Sequence, residues 1–165
     1  MDAKIISKTE TTFTVQVTVS YKNNMLNAEE HLQQCLNEAG SLSSRELLDS
    51  FDTDGSPIKL GVKSLTSKGK VEKEYQTPYG GVVVNRHVYQ TSRGGKTYVP
   101  LEAGSKTIGT VTPKFAKMIS SKYSCDAAPG VQRDLAENHN RSVAVSFIKN
   151  LTDLVGSIAL AKEET

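Results

Sequence analysis

Tryptophan is absent from this 165-residue chain, and phenylalanine and tyrosine together supply only 6% of it. Hydrophobic residues of every kind reach 37%, below the roughly 45–50% of ordinary globular domains, which predicts a modest core that leans on a partner or on further chain for stability. Cysteine is as scarce. Cys35 and Cys125 are the only two and have no paired spacing, which excludes a disulfide framework and reads as two small buried apolar groups in a reducing compartment. No run approaches the roughly 20 apolar residues that a bilayer-spanning helix needs. Nothing near Met1 has the apolar core of a secretory signal, so the expected location is cytoplasmic, with no membrane partner. The length fits one domain or two small ones.

What the chain does have is an uneven charge distribution. Residues 1–56 carry four Lys/Arg against nine Asp/Glu, a net −5, residues 57–125 carry twelve against three, a net +9, and residues 126–165 carry four against six, a net −2. A basic block between acidic flanks is the pattern of an electrostatic phosphate footprint, the alternative being a solvated lysine-rich surface.

Periodicity predicts an α+β fold in three parts, 1–56, 57–104 and 105–165. In the first, Phe13, Val15, Val17 and Val19 alternate with polar residues as in a half-buried strand over 12–20. Asn27 with Glu30 forms a capping box, and Leu32, Cys35, Leu36 and Ala39 form an apolar stripe that ends at Gly40. A second box, Ser43 with Glu46, opens a short helix carrying Leu47, Leu48 and Phe51. Asp52, Asp54, Gly55 and Pro57 then break the chain at an expected hinge. The second part reads as an antiparallel β-ribbon of three strands over 71–77, 82–90 and 97–101. Its turns are Pro78-Tyr79-Gly80-Gly81 and Arg93-Gly94-Gly95-Lys96, and Val82, Val84 and Val88 share one face of the central strand with Arg86.

The third part is helical. Thr112 is a good N-cap with Pro113 at the first helical position, and Phe115, Met118, Ile119 and Tyr123 supply the buried side. A second helix starts near Ala128 and ends at Asn138-His139-Asn140, and a third opens at Arg141 or Ser142 with Phe147, Leu151, Leu154 and Ile158 recurring on one face. Two helices joined by a tight turn after a packed first helix form a helix-turn-helix-like segment, an ordinary helical bundle being the alternative. In the helix-turn-helix reading the last helix enters the major groove, which makes Arg141, Ser142, Ser146, Lys149 and Asn150 the base-reading candidates. Lys68, Lys70, Arg86, Arg93, Lys96, Lys114, Lys117 and Lys122 are the phosphate candidates, and His87, when protonated, is a further contact.

A series of short motifs runs through the same region: Thr66-Ser67-Lys68-Gly69-Lys70, Tyr75-Gln76-Thr77-Pro78-Tyr79-Gly80, Arg86-His87-Val88-Tyr89-Gln90 and Gly94-Gly95-Lys96-Thr97, then Ile108-Gly109-Thr110 and Thr112-Pro113-Lys114-Phe115-Ala116-Lys117. With Asp134-Leu135, Glu137-Asn138-His139 and Val155-Gly156-Ser157-Ile158-Ala159, this series resembles the ISKra group of bacterial insertion-sequence transposases over about residues 52–164. The resemblance implies the amino-terminal part of a longer transposase that binds double-stranded DNA at the terminal repeats of its element, in a nucleoid-associated location. The Asp-Asp-Glu domain, with its two magnesium ions, would follow Thr165, so this chain alone is expected to cut no DNA and to need no cofactor. Two departures matter. Metal-bound members carry cysteine pairs around the ribbon and this chain has none, so no zinc is expected; and Asn140 replaces the Gly of the turn, which Asn tolerates. The alternative is a protein interaction module in which Leu32, Leu36, Leu47 and Phe51 pair with a second copy or with full-length transposase.

Other chemistry finds little support. Asp52-Thr53-Asp54-Gly55 is closer to a helix-ending turn than to a calcium loop, since Pro57 follows and the later ligand positions are missing. His31, His87 and His139 are mutually remote, His31 reading as a helix-surface residue, and no nucleophile elbow, phosphate loop or dinucleotide fingerprint occurs.

Overall fold

A computed structural model describes residues 1–164. It is an α+β fold with five helices and two antiparallel sheets. Strands β1 (Ala3–Lys8) and β2 (Phe13–Val17) pair as a hairpin. Its β2 arm follows the expected alternation but ends at Val17, leaving Val19 exposed, whereas β1 is a finding, since the adjacent Ile5 and Ile6 break the period of two.

Helix α1 (Met25–Asp49) is one rod of 25 residues where the sequence suggests two helices. Its cap is Asn24, whose side-chain oxygen accepts the Asn27 N–H at 2.9 Å, so the cap lies three residues before the one expected at Asn27. Gly40 does not end it. Glycine is needed there because a Cβ would stand 2.2 Å from the Tyr79 ring, and the second capping box lies inside the helix with its backbone groups already paired.

Strands β3 (Ile58–Leu60), β4 (Lys63–Gln76), β5 (Gly81–Thr91) and β6 (Gly94–Tyr98) form the four-stranded sheet in chain order. The expected ribbon is thus present, lengthened at the front of β4 and joined by β3. Pro100 stops β6 and starts the short helix α2 (Pro100–Ser105) where a strand was expected to continue. Val82, Val84 and Arg86 are buried on one face of β5, as the alternation requires. Val82 and Val84 pack with Tyr75, Leu48 of α1 and Leu101 of α2 into one core. The chain after α1 is therefore tied down rather than hinged. Asp52 accepts the His87 N–H and lies 3.0 Å from His87 Nδ1, and the Tyr89 hydroxyl donates to the Ser56 carbonyl at 2.8 Å.

A second core belongs to α3 (Pro113–Tyr123), α4 (Ala128–His139) and α5 (Val145–Glu163). Phe115, Ala116 and Ile119 meet Val131, Leu135, Ile148 and Leu151 there. The first two helices begin where the sequence places them. The third begins at Val145 after the Ala144 cap, so Arg141 and Ser142 lie in the preceding loop and not on the helix. Its buried residues are Ile148 and Leu151, with the expected Phe147 and with Val155 partly buried against the same core, and Leu154 and Ile158 are left outside. Asn140 takes the left-handed conformation at φ 52° that ends α4. Among the described residues no helix is long and apolar enough to cross a membrane.

The two cores meet at the far end of β4. Gln76 donates to the Thr110 carbonyl at 2.8 Å and accepts the Thr112 N–H at 3.0 Å. Asn37 of α1 donates to the His139 carbonyl at 3.0 Å.

Candidate functional site

Sheet topology gathers cations that are scattered in sequence. Thr66 pairs with Gln90, and Gln76 with Gly81, so the β3–β4 turn at Gly61-Val62 and the β5–β6 turn at Ser92-Arg93 lie at the same end of the sheet. Around this twin-hairpin end stand Lys59, Lys63, Lys68, Lys70, Arg93 and Lys96, all exposed. None of them forms an ion pair among the described residues. The two stretches that carry them, 56–71 and 90–99, contain no Asp or Glu. At about 3.3 Å per strand residue, the set lies within about 25 Å of the turns. Lys70, furthest from the turns, is the one with a carboxylate, Asp49, in Coulombic reach. Lys59 pairs opposite Ser64 and Lys63 opposite Leu60, so strand alternation puts these two lysines on opposite faces. The cations surround the end of the sheet rather than line one face.

Sequence reasoning finds four of these six and misses Lys59 and Lys63, because β3 is too short to show a period. It also includes three side chains that the fold withdraws. Arg86 is buried, donating from Nε to Glu102 Oε1 at 3.3 Å and from Nη1 to the Val71 carbonyl at 3.3 Å. The same carboxylate accepts the Tyr75 hydroxyl at 2.6 Å. His87 is held by Asp52 and covered by Gly55, which removes it as a phosphate contact. Lys122 is half-buried and paired with Asp134 at 2.5 Å, and this lysine, then Asn138, hold the Asp134 carboxyl below its ordinary value. Lys114 and Lys117 remain exposed on α3.

The base-reading set divides in the same way. Arg141 is 8% exposed. Its Nε donates to the Thr77 carbonyl at 3.0 Å, its Nη2 to Gln76 Oε1 at 2.6 Å, and its guanidinium lies 5.0 Å from the Phe115 ring centroid. It joins the sheet to the helices and cannot reach a ligand. Ser142 is exposed in the loop, and Ser146, Lys149 and Asn150 are exposed on one face of α5. Asp153 is exposed one turn beyond Lys149 and offsets its charge.

Two further features lie on α1. At 100° per residue, Met25, Leu32, Leu36 and Leu47 fall within a 60° arc, each between 41% and 68% exposed. They form an uncovered apolar stripe. On another side, His31 and Cys35 face Asp2, which precedes β1, with their ligand atoms within 4.8 Å of one another. The i, i+4 spacing of His31 and Cys35 is the signal that comparing histidines only with histidines overlooks. His31 is half-buried against Cys35 rather than a free surface residue. Cys125 is exposed, not buried.

No family model matches the chain, and no curated protein matches it either.

Proposed function

We propose that this chain is a DNA-binding module that holds duplex phosphates with the twin-hairpin end of its sheet. Its role is that of the non-catalytic amino-terminal part of an insertion-sequence transposase engaging the ends of its element. The observation that carries the reading is the exposed set Lys59, Lys63, Lys68, Lys70, Arg93 and Lys96, none in an ion pair among the described residues and all on stretches without Asp or Glu. The motif resemblance supplies the transposase context. A two-stranded ribbon fits the major groove, so one hairpin enters while the other tracks the backbone. Base reading falls to Ser146, Lys149 and Asn150 of α5, a thin set that predicts modest discrimination.

Fluorescence anisotropy with the terminal repeat and a scrambled duplex, across a salt series, tests this. Neutralising about five phosphates predicts a log–log salt slope of about −4.5, a loss of about five hundredfold between about 50 and 200 mM. Lys149→Ala or Asn150→Ala is expected to lower discrimination by on the order of 1 kcal/mol, whereas Lys68→Ala weakens both duplexes equally. Salt-independent binding, or identical effects from both classes of variant, sinks the assignment.

A second reading, pairing with another copy or with full-length transposase, is favoured by the uncovered stripe on α1. Light scattering after size exclusion tests it, and a monomer at high concentration argues against self-pairing.

A further inference from the structure

We propose that Asp2, His31 and Cys35 form a binding site for a transition-metal cation of the zinc type, which clamps the β1–β2 hairpin onto α1. Cys35 is 1% exposed, and its sulfur lies among oxygen and nitrogen atoms that can ligate a metal. Asp2 Oδ2 lies at 3.8 Å, the Thr18 carbonyl oxygen at 3.6 Å, and His31 Nε2 and Nδ1 at 3.6 and 3.9 Å. A thiol has one proton and serves one acceptor. At least one of the Asp2 and Thr18 oxygens then faces a sulfur lone pair, an arrangement that a cation between them reconciles.

The spacing suits a tetrahedral site. Zinc bonds of about 2.3 Å to sulfur and 2.0–2.1 Å to nitrogen or oxygen put the ligand atoms about 3.5 Å apart. The observed Sγ to Nε2 and Sγ to Oδ2 distances, 3.6 and 3.8 Å, need little adjustment. Successive turns of α1 bring His31 and Cys35 together, and the chain ahead of β1 brings Asp2. The Thr18 carbonyl or a water completes the fourth position. A thiolate with an imidazole selects zinc, cobalt or nickel over magnesium and calcium.

Binding requires two changes. The Cys35 thiol gives its proton to solvent, so one proton is released per metal bound. His31 Nε2, which accepts the Ser20 N–H at 3.1 Å, exchanges that hydrogen bond for the metal.

The test uses the full chain with Cys125→Ser, which removes the exposed thiol. Titration with Co²⁺ is expected to give one equivalent bound, with thiolate-to-cobalt charge-transfer absorption in the near ultraviolet and one proton released. Zn²⁺ should displace the cobalt and raise the melting temperature. Cys35→Ser should abolish the charge-transfer band, and His31→Gln and Asp2→Asn should each weaken binding at least tenfold. If circular dichroism shows that Cys35→Ser does not fold, the other two variants, at less buried positions, decide the question. Absence of binding below millimolar Co²⁺ in the parent, or binding that His31→Gln and Asp2→Asn leave unchanged, overturns the site.

Discussion

Arg141 and Arg86 show how burial turns a cation into a structural tie. Removing the Arg141 guanidinium strands the Thr77 carbonyl, and an unsatisfied buried polar group costs about 1–3 kcal/mol. Arg141→Met is therefore expected to lower stability by about 2 kcal/mol in urea unfolding, in line with that cost, while any DNA affinity measured on folded protein stays unchanged. Tyr75 makes a second tie. Burial, and then its hydrogen bond to Glu102, raise its pKa above the ordinary phenol value. A raised folded-state value means that this stabilisation is fully present below about pH 10 and is lost as pH rises through the folded value. Tyr75→Phe should cost about 1 kcal/mol at neutral pH and flatten the alkaline limb of a stability–pH curve. Sequence placed Arg86 on the valine face of β5, and its burial follows from that pattern. The fate of Arg141 was not legible, because the turn that buries it is set by a contact with Thr77, 64 residues away.

Elements were legible where their periods were long. α3, α4, β5 and the Pro78–Gly80 turn follow from proline placement and alternation, whereas the second ribbon turn is Ser92-Arg93 and Gly94 to Lys96, expected in it, belong to β6. The single rod of α1 was not legible, since Gly40 and two capping boxes read locally as an end and a new start, and only the Tyr79 ring packed over Gly40 explains why glycine sits mid-helix. This gives a test by double-mutant cycle. Gly40→Ala alone gains up to about 1 kcal/mol of helix propensity but displaces the ring, at a cost of about 1–3 kcal/mol for overpacking, so the net effect is destabilising. In a Tyr79→Ala background the same change should stabilise, and simple additivity would refute the packing argument. β3 and α2 are too short for a pattern to be read, and the adjacent Ile5 and Ile6 break the alternation of β1, so Lys59, Lys63 and Asp2 went unmarked as site residues.

For the whole molecule, the position of the charges decides more than their number. β4 runs from the cationic end at Lys63 to the helical joint at Gln76, about 40 Å at strand rise. Lys114 and Lys117 belong to the joint end. The basic residues that the sequence groups into one block are thus divided between two ends of the molecule. Changing Lys59, Lys63, Arg93 and Lys96 to Gln should lower DNA affinity by at least about tenfold at 100 mM salt. Changing Lys114 and Lys117 should have a much smaller effect, and anisotropy titrations that find the reverse would move the principal contact to the helices.

The chain-order sheet also bears on how fast the protein forms. β3 to β6 and β1 with β2 each pair with a sequence neighbour, so most of the structure closes over short loops and is expected to assemble quickly. The longest-range hydrogen bonds sit at the joint, where Asn37 meets His139 across 102 residues and Arg141 meets Thr77 across 64. Contacts that close such long loops are expected to form after the barrier. Arg141→Met should therefore steepen the loss of native protein by raising the unfolding rate while leaving the refolding rate nearly unchanged in stopped-flow chevrons.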